Sequence, residues 1–275
     1  MKPLVNGLAY SQRWQQFRES VMKEFNHTSG RHISIESAKI YFEVIGNEDL
    51  PPLLVLHGGF GNIENFNTIL PSLLTQYRII GIDCRGQGKS TLGNKELTYQ
   101  LLQTDIVTIL NHLEINDLSI LGFSDGGVIS YRLASFTGLK INKLITVGSR
   151  WHVKNIQPMK EIFSKITGEV LRVKYPSNYE IYQKYNPEPD VTRLGEELVR
   201  LWLDESESGY PNEKIENITC NTLLLRGEND PIVSEKDLTE TSELIKKSKI
   251  ITIPDANHVV FRDQKERFLS AVKGF

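Results

Sequence analysis

A chain of 275 residues with 39% hydrophobic and 24% charged residues has the composition of an ordinary globular protein. Its 32 basic and 34 acidic residues leave a net charge of -2, so no basic surplus points to a nucleic-acid partner. The longest apolar runs, such as Leu53 to Leu56, fall far short of the roughly 18 residues that a membrane span needs. We therefore expect one main soluble domain that acts on a small molecule, as a monomer or a homodimer.

The start of the chain and its cysteines bear on its location. Residues 1–7 lack the apolar stretch of a secretory signal. Cys84 and Cys220 follow no metal-binding or redox spacing, which is typical of free thiols in a reducing compartment. No close-spaced ligand pair occurs among the histidines His27, His32, His112 and His152. We expect a cytoplasmic protein that needs neither a metal ion nor a cofactor.

Residues 1–30 are interpreted as an N-terminal extension. Ser11 to Asn26 carries apolar residues at helical spacing with charged residues between them, which predicts an amphipathic helix. Such a helix packs against the body of the fold, or contacts a membrane surface or a second copy. His32 to Glu36 and Lys39 to Ile45 follow as two strand-like runs, and their spacing predicts a hairpin.

After Pro51 and Pro52, short buried strands alternate with helices, which predicts an α/β fold with a mostly parallel sheet. The apolar runs do not alternate with polar residues, as expected when helices cover both faces of a sheet. The predicted strands are Leu53 to His57, Tyr77 to Asp83, Leu118 to Phe123, Leu144 to Val147, Leu223 to Leu225 and Ile250 to Ile253. The predicted helices are Ile63 to Leu74, Leu97 to Leu113, Val128 to Ser135 and Val259 to Val272.

The regular pattern stops between residues 150 and 217. This segment has no strand-like core run and is interrupted by prolines, but three of its stretches have helical spacing: Ile156 to Ile166, Tyr179 to Tyr185 and Val191 to Leu203. We interpret it as a helical cap inserted into a core made of residues 31–149 and 218–275. Its position after one strand and before the next predicts a lid over the carboxyl ends of the strands, where α/β folds bind ligands.

The sequence Gly122-Phe123-Ser124-Asp125-Gly126 lies between a predicted strand and a predicted helix. Glycines on both sides of a serine allow the sharp turn that exposes its hydroxyl above the end of a sheet. The amide groups at the start of the following helix point toward whatever binds beside that hydroxyl. This pattern favours Ser124 as a nucleophile.

A serine hydroxyl needs a base to accept its proton and a carboxylate to orient that base. His258 comes after the last predicted strand, and Asp230 comes after the strand before it. All three side chains should therefore lie on loops at the same edge of the sheet. Asp230 precedes a proline and could instead be only a turn former, in which case Glu228 is the alternative acid.

From about His32 onward the chain resembles the α/β-hydrolase superfamily. The resemblance rests on the serine elbow, on His57-Gly58-Gly59-Phe60, on the run from Asp83 to Ser90, and on Gly227-Glu228-Asn229-Asp230. It implies a triad of Ser124, His258 and Asp230. It also implies an oxyanion hole made by the backbone N–H groups of Asp125 and Gly59, or of Phe60 if the loop is read one residue further. His57 would be structural.

The residues around the elbow give weaker indications of the substrate. The elbow with Asp125 is similar to that of amino-acid ester hydrolases related to valacyclovir hydrolase, in which the aspartate helps to hold the substrate ammonium. Alternatively, the carboxylate only complements the positive end of the helix dipole. Further candidates for substrate contact, which could equally be packing residues, are Phe60, Arg150, Trp151, Tyr179 and Trp202.

Three functions remain open on this basis. The leading one is a serine hydrolase of small carboxylic esters, with an amino-acid ester or amide as its sharper version. The second is a carbon–carbon bond hydrolase of dienone-type acids, which uses the same triad and would need a basic pocket residue such as Arg150. The third is a ligand receptor on a hydrolase scaffold, without turnover.

Overall fold

The structure is a computed structural model, and it describes residues 24–275. Its strands are β1 (Arg31–Ile35), β2 (Ala38–Ile45), β3 (Pro52–Leu56), β4 (Arg78–Ile82), β5 (Asp117–Phe123), β6 (Lys140–Val147), β7 (Asn221–Gly227) and β8 (Ser248–Ile253). They form one eight-stranded sheet in the order β1-β2-β4-β3-β5-β6-β7-β8. Strands β1 and β2 pair antiparallel, as do β2 and β4, and the remaining pairs are parallel. The predicted hairpin and the mostly parallel sheet are confirmed.

Both faces of the sheet are buried, because successive residues of the central strands belong to different hydrophobic clusters. Leu54 of β3 pairs with Ile80 and Ile120 on the neighbouring strands, and all three belong to one cluster. The next residue back, Leu53, belongs to the opposite cluster together with Leu121. Helices must therefore cover both faces, which is why these strands do not alternate with polar residues.

The helices of the described residues surround this sheet. They are α1 (Leu70–Leu73), α2 (Tyr99–His112), α3 (Asp125–Phe136), α4 (Lys160–Phe163), α5 (Gly168–Lys174), α6 (Pro176–Tyr185), α7 (Val191–Trp202), α8 (Glu235–Leu244), α9 (Val260–Asp263) and α10 (Lys265–Lys273). Three 3₁₀ turns accompany them: Ile63–Phe66, Val153–Met159 and Asn212–Asn217.

Two helix predictions in the core need correction, and one helix of the core was missed. The predicted helix from Ile63 to Leu74 is a 3₁₀ turn followed by α1, because Pro71 has no N–H to continue a helical ladder. The C-terminal helix is broken at Gln264, whose backbone is not helical (φ -134°, ψ 58°). Helix α8 was not predicted at all. Its start carries a recognisable signal, since Ser234 and Asp237 form a capping box.

The segment between β6 and β7 is helical, as predicted, but its helices differ from the predicted ones. Helix α5 was missed, although Thr167 caps its first turn by accepting a hydrogen bond from the N–H of Val170. Pro176 was interpreted as a break, but it begins α6, where a missing N–H costs nothing. Helix α7 lies where the sequence places it.

The predicted N-terminal helix from Ser11 falls largely outside the described residues. Its last three positions, residues 24–26, are not helical. Phe25 is instead buried, and its backbone N–H and C=O hydrogen-bond to the side chain of Asn67. Within the described range no helix is long and apolar enough to cross a membrane. Cys84 is buried, Cys220 is half-buried, and both are free thiols.

Candidate active site

Ser124 lies on a strained turn between β5 and α3. Its φ of 52° is in the left-handed region, where a residue with a side chain is held only if its surroundings fix it. The Ser124 N–H donates to the carbonyl of Val147, and a Cβ on Gly126 would collide with the carbonyl of Leu56. The sequence therefore has glycine at the tightest point of the turn, and the serine hydroxyl is left partly exposed.

The loops after β7 and β8 bring a histidine and an aspartate to this serine. The Nε2 atom of His258 lies 3.1 Å from the Ser124 Oγ, and its Nδ1 lies 2.9 Å from Oδ2 of Asp230. With Nδ1–H donating to the carboxylate, Nε2 is the acceptor for the serine hydroxyl proton. The His258 side chain is 17% exposed, whereas that of Asp230 is fully buried. The imidazole is therefore partly accessible, and the carboxylate is not.

Asp230 is held as a charged acceptor. Its Oδ1 accepts hydrogen bonds from the backbone N–H groups of Ile232 and Val233, at 2.8 and 3.1 Å. Burial alone would raise its pKa, but His258 and these backbone donors outweigh burial, and the pKa of Asp230 is lowered. Glu228, the alternative acid, is exposed and accepts from the backbone N–H of Asp255 rather than from His258.

Three backbone N–H groups of the loop after β3 and of the first turn of α3 are candidates for an oxyanion hole. Those of Gly59, Phe60 and Asp125 donate to no acceptor among residues 24–275. Gly59 approaches the start of α3 so closely that a Cβ on it would lie 2.8 Å from Oδ2 of Asp125. Phe60 has a φ of 55°, so the loop reverses direction at this residue. The loop after β3 and the first turn of α3 therefore offer N–H donors from two sides.

His57 supports this loop from beneath. It is fully buried, and its Nδ1–H donates to the carbonyl of Gly58 at 2.7 Å. Its Nε2 accepts the backbone N–H of Cys84 at 2.9 Å. Burial lowers the pKa of His57, so it is the neutral tautomer that makes both bonds. These contacts are those of a structural histidine.

Comparison with known proteins agrees with this geometry. A family model described as the alpha/beta hydrolase fold matches residues 51–176. An esterase from Exiguobacterium antarcticum, solved as a structure, is similar over 89% of the chain and 98% of its own, with a TM-score of 0.73 and 23% identity. The chain therefore has the α/β-hydrolase fold. The fold that the motifs implied is confirmed.

Two curated proteins are similar to this chain over most of their length. The sn-1-specific diacylglycerol lipase ABHD11 of Danio rerio is 29% identical, with 84% of this chain and 80% of that protein covered. The 2-hydroxy-6-oxo-6-(2'-aminophenyl)hexa-2,4-dienoic acid hydrolase of Metapseudomonas resinovorans is 25% identical, with 82% and 83% covered. The first is named as a lipase and the second as a hydrolase of a dienoic acid.

Beside Ser124, the carboxylate of Asp125 is held by two side chains. Tyr99 donates its hydroxyl to Oδ1 at 2.9 Å, and the indole N–H of Trp202 lies 3.0 Å from both carboxylate oxygens. Burial raises the pKa of Asp125, and the two donors oppose that shift only in part. Trp202 thus reaches the residue beside Ser124 from the inserted segment. Tyr99 was missed by the sequence analysis, because a tyrosine in the first turn of a helix carries no signal of such a contact.

Arg150 and Trp151 follow β6, and both are buried, at 6% and 2% exposure. Arg150 donates through Nη2 to the carbonyl of Ile232 and packs against the ring of Phe163, 5.7 Å away. Trp151 packs against Lys154 and His152. Arg150 therefore lies beside the loop that carries Asp230.

A cavity of about 120 Å³ separates the loop after β3 from the inserted segment. Among its lining residues are Phe60, Gln87, Leu171, Tyr182, Leu194 and Arg262. Ser124, His258 and Tyr179 do not line this cavity. Phe60 also contacts Trp202, with ring centroids 6.1 Å apart.

Proposed function

We propose that the chain is a serine hydrolase that cleaves small carboxylic esters through an acyl-enzyme intermediate. Ser124 is the nucleophile, His258 the general base and Asp230 the residue that orients and stabilises the charged imidazole. The observation that carries the proposal is the unbroken relay from Ser124 Oγ to His258 Nε2 and from His258 Nδ1 to Asp230, at 3.1 and 2.9 Å. The esterase and lipase names among the similar proteins support the same class of reaction.

The first half of the reaction acylates the enzyme. Ser124 Oγ forms a bond to the ester carbonyl carbon while its proton passes to His258 Nε2, and the carbonyl electron pair moves onto oxygen. The tetrahedral intermediate then collapses, the bond to the alcohol breaks, and the alcohol leaves with the proton from His258. Water repeats the sequence on the acyl-enzyme: His258 takes a proton from water, the hydroxyl oxygen bonds to the acyl carbon, and Ser124 leaves with that proton.

The negative oxygen of each tetrahedral intermediate needs fixed donors. We assign this role to the N–H groups of Asp125 and Gly59, with Phe60 as the alternative to Gly59. Their lack of other acceptors within residues 24–275 supports the assignment. Loss of one such donor typically lowers turnover by about 10²- to 10³-fold.

The segment 150–217 is proposed to act as a cap over these groups. Its last helix, α7, delivers the Trp202 indole to the Asp125 carboxylate, which supports a closed arrangement above Ser124. The N-terminal extension 1–30 and the core of residues 31–149 and 218–275 complete the proposed organisation.

Asp125 is the candidate for holding an ammonium group in the amino-acid ester version of this function. Its Oδ1 already accepts from Tyr99 and Trp202, and its Oδ2 from Trp202. A carboxylate has about four lone-pair sites, so one site on Oδ2 remains for a substrate donor. An ammonium would therefore share the carboxylate with the indole.

A second candidate is hydrolysis of a carbon–carbon bond in a dienone-type acid. The specific observation behind it is the Metapseudomonas resinovorans relative, which is named as a hydrolase of such a dienoic acid and is covered over 83% of its length. The same three residues would serve both reactions. A dienone acid is yellow, so loss of its colour on incubation would reveal this activity directly.

The first test is hydrolysis of a short-chain p-nitrophenyl ester by the protein and by Ser124→Ala. We expect the variant to lose at least about 10⁴-fold in kcat, as triad deletions do. Ser135→Ala is the matched control, because this serine lies on the same helix α3 and its hydroxyl has no partner among the described residues. Equal activity in Ser124→Ala would end the assignment of the nucleophile. An inactive native protein that still binds ester-like ligands would point to a receptor.

A further inference from the structure

Two buried arginines brace the loop that carries Asp230, and they do so very differently. Arg226 donates through Nε to the carbonyl of Val233 and through Nη2 to that of Glu228. Arg150 donates to the same loop only through Nη2, to the carbonyl of Ile232. Arg226 thus hydrogen-bonds the loop through two nitrogen atoms. Arg150 does so through one and leaves most of its N–H donors unused.

The unused donors of Arg150 are buried. The residue is 6% exposed, and its Nε and Nη1 atoms have no hydrogen-bond partner among residues 24–275. These two atoms carry three of the five N–H bonds of the guanidinium. A buried cation with unpaired donors is costly, because neither water nor protein compensates its desolvation.

The nearby carboxylates do not supply the missing partner. Asp230 accepts from His258 and from two backbone N–H groups, and Asp237 accepts from Ser234 and Asn155. Within the described residues neither forms an ion pair with Arg150. Burial lowers the pKa of the Arg150 guanidinium, and the more distant charges raise it by less. A guanidinium nevertheless stays charged at neutral pH.

Arg150 comes two residues after Gly148, which lies against the reacting groups. A Cβ on Gly148 would lie 2.9 Å from the His258 ring and 3.1 Å from Oδ2 of Asp230. On its other side the guanidinium packs against Phe163, whose ring centroid is 5.2 Å from that of Trp202. Trp202 in turn hydrogen-bonds Asp125 beside Ser124. The guanidinium of Arg150 therefore lies between the loop that carries Asp230 and an aromatic residue of the inserted segment.

We propose that Arg150 binds a carboxylate carried by the substrate, so that the preferred substrates are half-esters of small dicarboxylic acids. This inference rests on the proposed ester hydrolysis and names the substrate class for it. A carboxylate accepts two parallel hydrogen bonds from a guanidinium, and its single charge neutralises one arginine. A phosphate monoester, with a charge of about -1.5 to -2, would call for a second cation.

The test compares three ethyl esters of matched length: monoethyl glutarate, which is anionic, ethyl hexanoate, which is neutral, and ethyl δ-aminovalerate, which is cationic. The native protein should show a kcat/KM for the anionic ester at least about tenfold above that for the neutral one. Monoethyl succinate and monoethyl adipate extend the series, because the distance from Arg150 to the ester carbonyl sets the best chain length.

Substitutions of the two arginines distinguish binding of the substrate carboxylate from stabilisation of the loop that carries Asp230. Arg150→Met should abolish the preference for the anionic ester, mainly by raising its KM, and Arg150→Lys should restore part of it. Arg226→Met is the matched control. It removes the other buried arginine that hydrogen-bonds the loop carrying Asp230, and it leaves the free N–H donors of Arg150 in place. It should change the rates for anionic and neutral esters by the same factor. Thermal unfolding of each variant checks that the fold is intact.

Binding of the free diacids succinate, glutarate and adipate by calorimetry keeps this inference distinct from the ester hydrolysis itself. If no ester is cleaved but a diacid binds and Arg150→Met weakens it tenfold or more, the Arg150 site stands and the proposed reaction falls. If no diacid binds the native protein and no anionic ester is preferred, the Arg150 site is wrong. It is also wrong if Arg150→Met lowers anionic and neutral rates equally, since the arginine then only braces the loop.

Discussion

The sheet edge that carries the reacting groups and the inserted segment above it are built in different ways. Ser124 follows β5 directly, Asp230 comes three residues after β7, and His258 comes five residues after β8. The parallel ladders fix those three strand ends relative to one another. The segment between β6 and β7 has no strand within the described range, and its helices have only four to twelve residues.

The inserted segment is attached to the core by apolar side chains, among them Leu194, Leu198 and Leu201 of α7, and by polar side chains. Asn186 donates to the carbonyls of Gly86, Gly88 and Ser90, at 2.9 to 3.2 Å. Glu197 accepts from the backbone N–H of Leu97. The segment also carries most of the large apolar side chains that are exposed among the described residues: Ile162, Val173, Tyr175 and Ile181. The chemistry is therefore placed on rigid strand ends, while the surrounding helices can change without moving it.

The largest effect on kcat should come from the sheet edge that carries the reacting groups, at Asp230. Asp230→Asn replaces the acceptor for His258 Nδ1–H with an amide that can present a donor, which favours the wrong tautomer of the histidine. In serine hydrolases this change lowers kcat by about 10⁴-fold, and we expect a loss of that order. Steady-state kinetics with a p-nitrophenyl ester measure it.

Glu228→Gln is the matched control for this prediction. Glu228 lies in the same turn, but it is exposed and accepts from the backbone N–H of Asp255 instead of from His258. We expect kcat to remain within about threefold of the native value, as for surface substitutions in general. The opposite ranking of the two variants would make Glu228 the acid and overturn the assignment of Asp230.

The sequence predicts the sheet edge that carries the reacting groups well, because the constraints on that edge are local. A buried strand, a turn residue and a polar side chain follow one another within ten residues at Ser124, Asp230 and His258, and parallel strands must bring their carboxyl ends to one edge. The motif at His57 predicts N–H donors in the loop after β3, and this stays a prediction. The role of Tyr99 was not foreseen, since its partner Asp125 is 26 residues away and no pattern joins them.

The inserted segment was harder to predict, because its helices are short and depend on tertiary contacts. Pro176 looked like a break, yet a proline is equally compatible with the first turn of a helix. The contact between Trp202 and Asp125 spans 77 residues. Local spacing placed Trp202 on a helix, but only the fold brings its indole to the carboxylate.

The next largest effect should come from Asp125, where the core and the inserted segment meet. Its carboxylate accepts a hydrogen bond from Tyr99 of the core and from Trp202 of the inserted segment. Trp202→Phe removes the indole N–H from the inserted segment and leaves an aromatic ring in place. Hydrogen bonds to charged groups contribute about 1.5–3 kcal/mol, so we expect a loss of stability of that order. We also expect kcat/KM to fall by about tenfold, since Gly59 packs against both Asp125 and Trp202.

Tyr99→Phe is the matched change on the core side of the same carboxylate. It should cost similar stability, because it also removes one donor from Asp125. It leaves the inserted segment attached, so limited proteolysis within residues 150–217 should be faster in Trp202→Phe than in Tyr99→Phe. Equal proteolysis of the two variants would show that the indole contact does not hold the segment down.

The smallest effect should appear at a second junction, where Tyr185 of α6 stacks on His27, with ring centroids 4.3 Å apart. His27 is fully buried, and its two ring nitrogens face Glu64 and Asp83 at 2.7 and 2.8 Å. Burial would lower the pKa of His27, but the two carboxylates together outweigh it, and the pKa is raised above 6.5. Both nitrogens then donate, and the imidazolium joins the core to the inserted segment.

A raised folded pKa fixes the direction of the pH effect. The stabilisation is fully present below the unfolded value of about 6.5 and is lost as pH rises through the folded value, at about 1.4 kcal/mol per unit of pKa difference. His27→Gln keeps a polar side chain but cannot titrate, so the stability gap between native protein and variant should narrow as pH rises above 6.5. Urea unfolding midpoints of both proteins, measured from about pH 6 to 9, give this gap. A gap that stays constant or widens with pH would mean that His27 is neutral and that the junction holds by stacking alone.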